Sequence, residues 1–97
     1  MKRNKHLTKN MHRILSWMRE NDPDDQLTNF IPGGWWIGEY RVSGATCFNL
    51  LRLCLISAEN ESATCVYYGL NEDGEKILDD INYVPRIVRE LLSLQAD

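Results

Sequence analysis

Three cysteines, two histidines and two pairs of adjacent aspartates are the residues in this 97-residue chain whose chemistry could go beyond packing. Cys47, Cys54 and Cys65 include no C-x-x-C pair. If Cys47 and Cys54 share a helix they stand two turns apart, roughly 10 Å along its axis. That exceeds the about 7 Å over which a disulfide can close. Reduced thiols acting as small core hydrophobes are the expectation. Zinc needs three or four converging ligands, and His6 and His12 lie far from the cysteines in sequence. Asp24-Asp25 and Asp79-Asp80 are sequence neighbours that point to different faces, which makes them poor acid/base dyads. Gly33-Gly34 lacks the G-K-[ST] ending of a phosphate loop. No catalytic residue, metal ligand or cofactor site is therefore expected.

A second group of residues could act by contact. Ser43 is a good N-cap for the stretch that follows it. At 100° per residue, Cys47, Leu50, Leu51 and Cys54 fall on one side of a helix over residues 43–54. Ala45, Thr46, Asn49, Arg52 and Leu53 fall on the other, with Phe48 at the edge. The first side is core. The second is small, polar and singly charged, a surface that can approach something large.

Charge is unevenly placed. Residues 1–13 hold Lys2, Arg3, Lys5, Lys9 and Arg13 and no acid, while the rest carries six basic and fourteen acidic residues, for a net charge of −3. A basic arm ahead of an acidic body suits phosphate or an acidic partner; a solvated, solubilising terminus is the alternative. The longest apolar stretch, residues 50–56, is interrupted by Arg52 and is far short of a membrane span of about 20 residues. The basic N-terminus has no apolar h-region. A cytoplasmic domain is expected.

These residues need a scaffold. Leu7, Met11, Ile14, Leu15 and Met18 predict an amphipathic first helix, ended by Asn21-Asp22-Pro23. Pro23 followed by two aspartates suggests a short second helix, with Leu27, Phe30 and Ile31 as its apolar face and Pro32-Gly33-Gly34 as its stop. Trp35-Trp36-Ile37-Gly38 suits a short extended piece or a compact turn better than a helix; along a strand its two tryptophans cannot both face the core. Residues 55–58 and 64–70 predict a hairpin around a polar turn at 59–63. Within it Val66, Tyr68 and Leu70 alternate inward, and Cys65 and Tyr67 outward. Asn71 caps a short helix reaching about residue 80. A final helix begins near Pro85 and carries Ile87, Val88, Leu91, Leu92 and Leu94, more apolar surface than a small domain readily hides.

Val42-Ser43-x-x-Thr46-Cys47-x-x-Leu50-Leu51-x-x-Cys54-Leu55-Ile56 resembles the recognition-helix stretch of bacterial winged-helix regulators. Tyr68-x-Leu70-Asn71-Glu72-x-Gly74 is similar to the end of their second wing strand, where L-T-x-x-G is usual. Residues 34–38 are similar to small prophage-encoded members. The resemblance covers residues 7–80. It implies an α+β, mainly α fold: a winged helix-turn-helix with a small antiparallel β-hairpin wing and an extra C-terminal helix. The division it suggests is a basic flexible arm at 1–6, the winged-helix domain at 7–80 and a C-terminal helix at 81–97.

The function it implies is double-stranded DNA binding in transcription control, with helix 43–54 in the major groove. Ser43 and Thr46 match positions that hold phosphates. Ala45, Phe48, Asn49 and Arg52 match positions facing base edges, where Arg can bond guanine, Asn adenine, and Phe a thymine methyl. Arg41, Lys2, Arg3 and Lys5 add positive charge. A homodimer through Ile87, Val88, Leu91 and Leu92 is the expected assembly. Two positions depart from the family: Cys54 stands where a glycine commonly closes the helix, and the wing carries Glu59 and Glu61 in place of basic residues. A protein-interaction adaptor is the alternative function.

Overall fold

The apolar stripe of the first helix is buried at Met11, Leu15 and Met18, with Leu7 sealed just ahead of it. The computed structural model describes residues 2–21 and 26–95. Helix α1, Lys9–Asn21, opens where the Thr8 hydroxyl accepts a hydrogen bond from the Met11 N–H at 3.2 Å. This is an N-cap contact that satisfies a donor with no intrahelical partner.

Three strands follow: β1 (Leu27–Phe30), β2 (Gly34–Ile37) and β3 (Tyr40–Val42). The expected short second helix is thus corrected. Its start at residues 23–25 lies outside the described residues, and its apolar face forms β1. Leu27, Phe30 and Ile31 have a spacing that cannot by itself separate a short helix from a strand. Thr28, Phe30 and the paired aromatic strand beside them favour the extended form. Gly38, at φ 57°, makes the tight turn from β2 to β3.

Helix α2 (Gly44–Arg52) leads to the hairpin β4 (Ile56–Glu61) and β5 (Cys65–Leu70), then α3 (Glu72–Asp79) and α4 (Arg86–Gln95). All five strands join one antiparallel sheet in the order β3-β2-β1-β5-β4. This overturns the mainly helical winged helix-turn-helix. A three-stranded meander stands between α1 and α2 where that fold needs a helix, and the hairpin is the edge of a large sheet. Residues 34–42 alternate glycine-bracketed aromatic and β-branched residues, and β1 gives them a central partner. Their side chains therefore settle as strands.

Helices α1, α2 and α3 pack against the sheet, and α1 touches the other two. Leu27, Ile37, Val42 and Ile56 from the strands meet Leu15, Leu50, Cys47 and Ile77 from the helices in one core. Trp35 packs against this core, its ring 5.2 Å from that of Tyr68. Trp36 belongs to the alternate row of the sheet, where Arg41, Trp36, Thr28 and Tyr67 are cross-strand neighbours. As expected, the two tryptophans take different sides. Cys65, expected outward, is buried beside the Ser62 hydroxyl, 3.3 Å from its sulfur.

The N-terminal stretch expected to be a flexible arm is anchored. Asn4 is 1% exposed, and its amide donates to the carbonyls of Asp80 (3.0 Å) and Tyr83 (2.8 Å). Its Oδ1 accepts from the His6 N–H at 2.9 Å. In α4, Ile87 and Val88 are half-buried against the domain's own core. The exposed apolar residues there are Leu91, Leu92 and Leu94. The expected dimer patch is thus halved at its start and extended at its end. No helix of the described residues is long and apolar enough to cross a membrane.

Candidate nucleic-acid interface

Helix α2 is held by its apolar side. Cys47 and Leu50 are fully buried, and burial pushes the Cys47 thiol up to about 12, so it stays protonated. The helix packs on α1, β2 and β4 together, so a wide arc of it is covered. That arc takes in Thr46 and Leu53, both expected on the outward side and both buried at 8% exposure. This corrects their placement: Thr46 is turned into a cleft against α1 and is not on the outer face.

What remains outside is Ser43, Gly44, Ala45, Phe48 and Arg52, with Asn49 half-buried. Phe48 is 65% exposed in the middle of this face. The Arg52 guanidinium donates to Asn49 Oδ1 at 3.4 Å, a weak contact that leaves both groups able to turn to a partner. At the start of the helix, Ser43 has φ −57° and ψ 132° and its side chain caps nothing. The first three N–H groups of a helix have no intrahelical acceptor. Those of Gly44, Ala45 and Thr46 therefore point out of the positive end of the helix dipole, a setting that favours an anion.

Cation placement differs from the sequence expectation. Arg41 flanks Ser43 and Gly44 at the edge of β3, with its guanidinium 5.9 Å from the centre of the Trp36 ring. Lys2, Arg3 and Lys5 are exposed, but Asn4 ties their segment to the connection between α3 and α4. Arg13, which the sequence placed only in the basic N-terminal stretch, and Asn10, which it did not single out, line the cleft beside Ser43 and Thr46. The signal was present: Asn10, Arg13 and Trp17 recur at helical spacing along one margin of α1.

The hairpin keeps its negative charge. Glu59 accepts a hydrogen bond from the Gln26 amide at 2.8 Å, which orients its carboxylate toward the start of β1. A second acidic group, Glu72, Asp73, Glu75 and Asp79, lies on α3, where Arg19 pairs with Asp79 and Glu75. The C-terminus of α2 closes as a Schellman motif: Leu55 N–H bonds Leu50 O at 3.1 Å, and Cys54 takes the left-handed φ of 57°. A cysteine at this position is compatible with the motif. Asn71 braces it by donating to Cys54 O at 2.7 Å.

Among the described residues, no group of three or more His, Cys, Asp or Glu could hold a metal. The chain matches no protein-family model, no curated protein and no solved structure.

Proposed function

We propose that this chain binds double-stranded DNA through α2 and serves as a transcription regulator. The observation that supports this best is the division of α2. One side is sealed in the core, and the other offers Ala45, Phe48, Asn49 and Arg52 beside an uncapped N-terminus flanked by Arg13 and Arg41. A phosphate at the N-terminus would set the register, while Arg52 and Asn49 supply base-edge hydrogen bonds.

Three arginines are a small cationic complement, since phosphate neutralisation supplies much of the affinity for DNA. A two-fold dimer doubles it. Leu91, Leu92 and Leu94 are exposed on one helix, and Arg86 and Glu90 lie beside them with opposite charges. A second copy in antiparallel register could pair these charges reciprocally, which makes it the occupant we assign to this face.

Fluorescence anisotropy with random duplex DNA at low and moderate salt tests the reading. Binding at low salt with a log–log salt slope of roughly −2 per protomer is expected from Arg13 and Arg41 at phosphates. Phe48 favours a second reading, since an aromatic ring exposed at the middle of a helix face is a common anchor for protein contact. Undetectable binding at low salt would select the adaptor.

A further inference from the structure

The cleft between α1, β3 and the start of α2 has a volume of about 440 Å³, within the range of small-molecule sites. Its walls are of two kinds. Ile14, Trp17, Ile37 and Tyr40 make an apolar, largely aromatic side, with the Trp17 and Tyr40 rings edge to face at 5.2 Å. Ser43 and Thr46, at the uncapped start of α2, make a hydroxyl side, with Arg13 and Arg41 beside them.

Thr46 is the unusual member. Its side chain lines the cleft, the residue is only 8% exposed, and its hydroxyl has no hydrogen-bond partner among the described residues. A threonine in a helix commonly returns its hydroxyl to the carbonyl four residues earlier. Here that carbonyl, of Val42, receives no such bond. That hydroxyl lines the cleft with its donor uncommitted, and a ligand in the cleft can accept from it.

We infer that this cleft binds a small organic oxyanion, a carboxylate or phosphate monoester on a flat apolar body. The oxyanion meets the Thr46 and Ser43 hydroxyls and the first N–H groups of α2, and Arg13 balances its charge. The body stacks along Trp17 and Tyr40. A helix N-terminus supplies the anion preference, the aromatic wall supplies the selectivity for a ring, and the cleft accommodates both at once. The binding itself is independent of the DNA reading. If that reading holds, the same N–H groups cannot serve a DNA phosphate while the small anion occupies them.

The test is a titration of the protein, without DNA, using phenyl phosphate, benzoate, inorganic phosphate and phenol as probes. Amide and indole NMR shifts are read. Saturable shifts centred on Gly44, Ala45, Thr46 and the Trp17 indole are expected with phenyl phosphate or benzoate. Phenol and inorganic phosphate, each lacking half of the chemistry, should bind about tenfold more weakly or worse. Thr46→Val removes the hydroxyl at constant shape. Gly44→Pro removes one N–H at a position where a Cβ meets nothing within 4 Å and where Ser43 already has the extended backbone that precedes a proline. Each should weaken phenyl phosphate by about tenfold, the size of one hydrogen bond to a charged group. Absence of saturable shifts overturns the inference. So does inorganic phosphate binding as tightly as phenyl phosphate, or unchanged affinity in both folded variants.

Discussion

Asn4→Ala should destabilise the protein by about 2–4 kcal/mol. The wild-type amide donates to two backbone carbonyls, those of Asp80 and Tyr83, and its oxygen accepts from the His6 N–H. Truncation takes a partner from the Tyr83 carbonyl and the His6 N–H, and leaves the Asp80 carbonyl with the Tyr83 N–H alone, in a place where Asn4 is 1% exposed. Each lost bond of this kind costs about 1 kcal/mol, and more where water cannot reach. For a domain of about 100 residues, each kcal/mol moves Tm by roughly 4–8 °C, so a fall of roughly 8–32 °C follows. Urea unfolding followed by tryptophan fluorescence measures it directly. Asn4→Asp should be at least as damaging, because it turns an acceptor toward both carbonyls. A loss below about 0.5 kcal/mol for Asn4→Ala would refute the anchoring role and return residues 2–6 to the status of a free arm.

Two glycines of similar sequence context should behave oppositely. Gly74→Ala places a Cβ against the Leu55 backbone carbonyl and Leu70, and should cost about 2 kcal/mol or more by thermal melting. Gly44→Ala meets nothing within 4 Å and should be neutral or stabilising by up to about 0.5 kcal/mol. Cys54→Gly should stabilise by about 0.5–1 kcal/mol, because the left-handed φ of 57° costs a cysteine and not a glycine. Burial first, then the 2.7 Å hydrogen bond to Asp73, raises the Tyr83 hydroxyl above its ordinary range. The stability this proton carries is present below the unfolded value of about pH 10 and lost as pH rises through the folded one; urea midpoints should fall there, less steeply in Tyr83→Phe. Light scattering at micromolar concentration should give a dimer that Leu91→Glu dissociates, and a monodisperse wild-type monomer would reject the α4 contact.

The helices were legible because their apolar residues repeat over two or more turns. Leu7, Met11, Leu15 and Met18 leave one reading, and Asn71 before an acidic stretch marks the start of α3, where its side chain accepts from the Gly74 N–H. The sheet was legible at its hairpin and at the extended piece over residues 35–38, which overlaps β2. Residues 27–31 carry three apolar side chains at a spacing shared by a helical turn and a twisted strand, and β1 is decided by pairing with β2 and β5 on both sides. The β5 half of that pairing lies about forty residues away in the sequence. Thr46 illustrates the same limit within the candidate site. The helical wheel gives its angle on α2, but the width of the buried arc depends on how many elements grip the helix. Asn4 carried no periodic or motif signal, and its role comes from two carbonyls about eighty residues distant.

The outer face of α2 is the proposed contact surface, and amide shift mapping during titration with a selected duplex examines it directly. The expected result is a contiguous set of perturbed amides over Ser43, Gly44, Ala45, Phe48, Asn49 and Arg52, with Arg52→Ala weakening that complex by about 1–3 kcal/mol. Perturbations confined to α3, β4 or the Trp36 row of the sheet, with α2 silent, would contradict it.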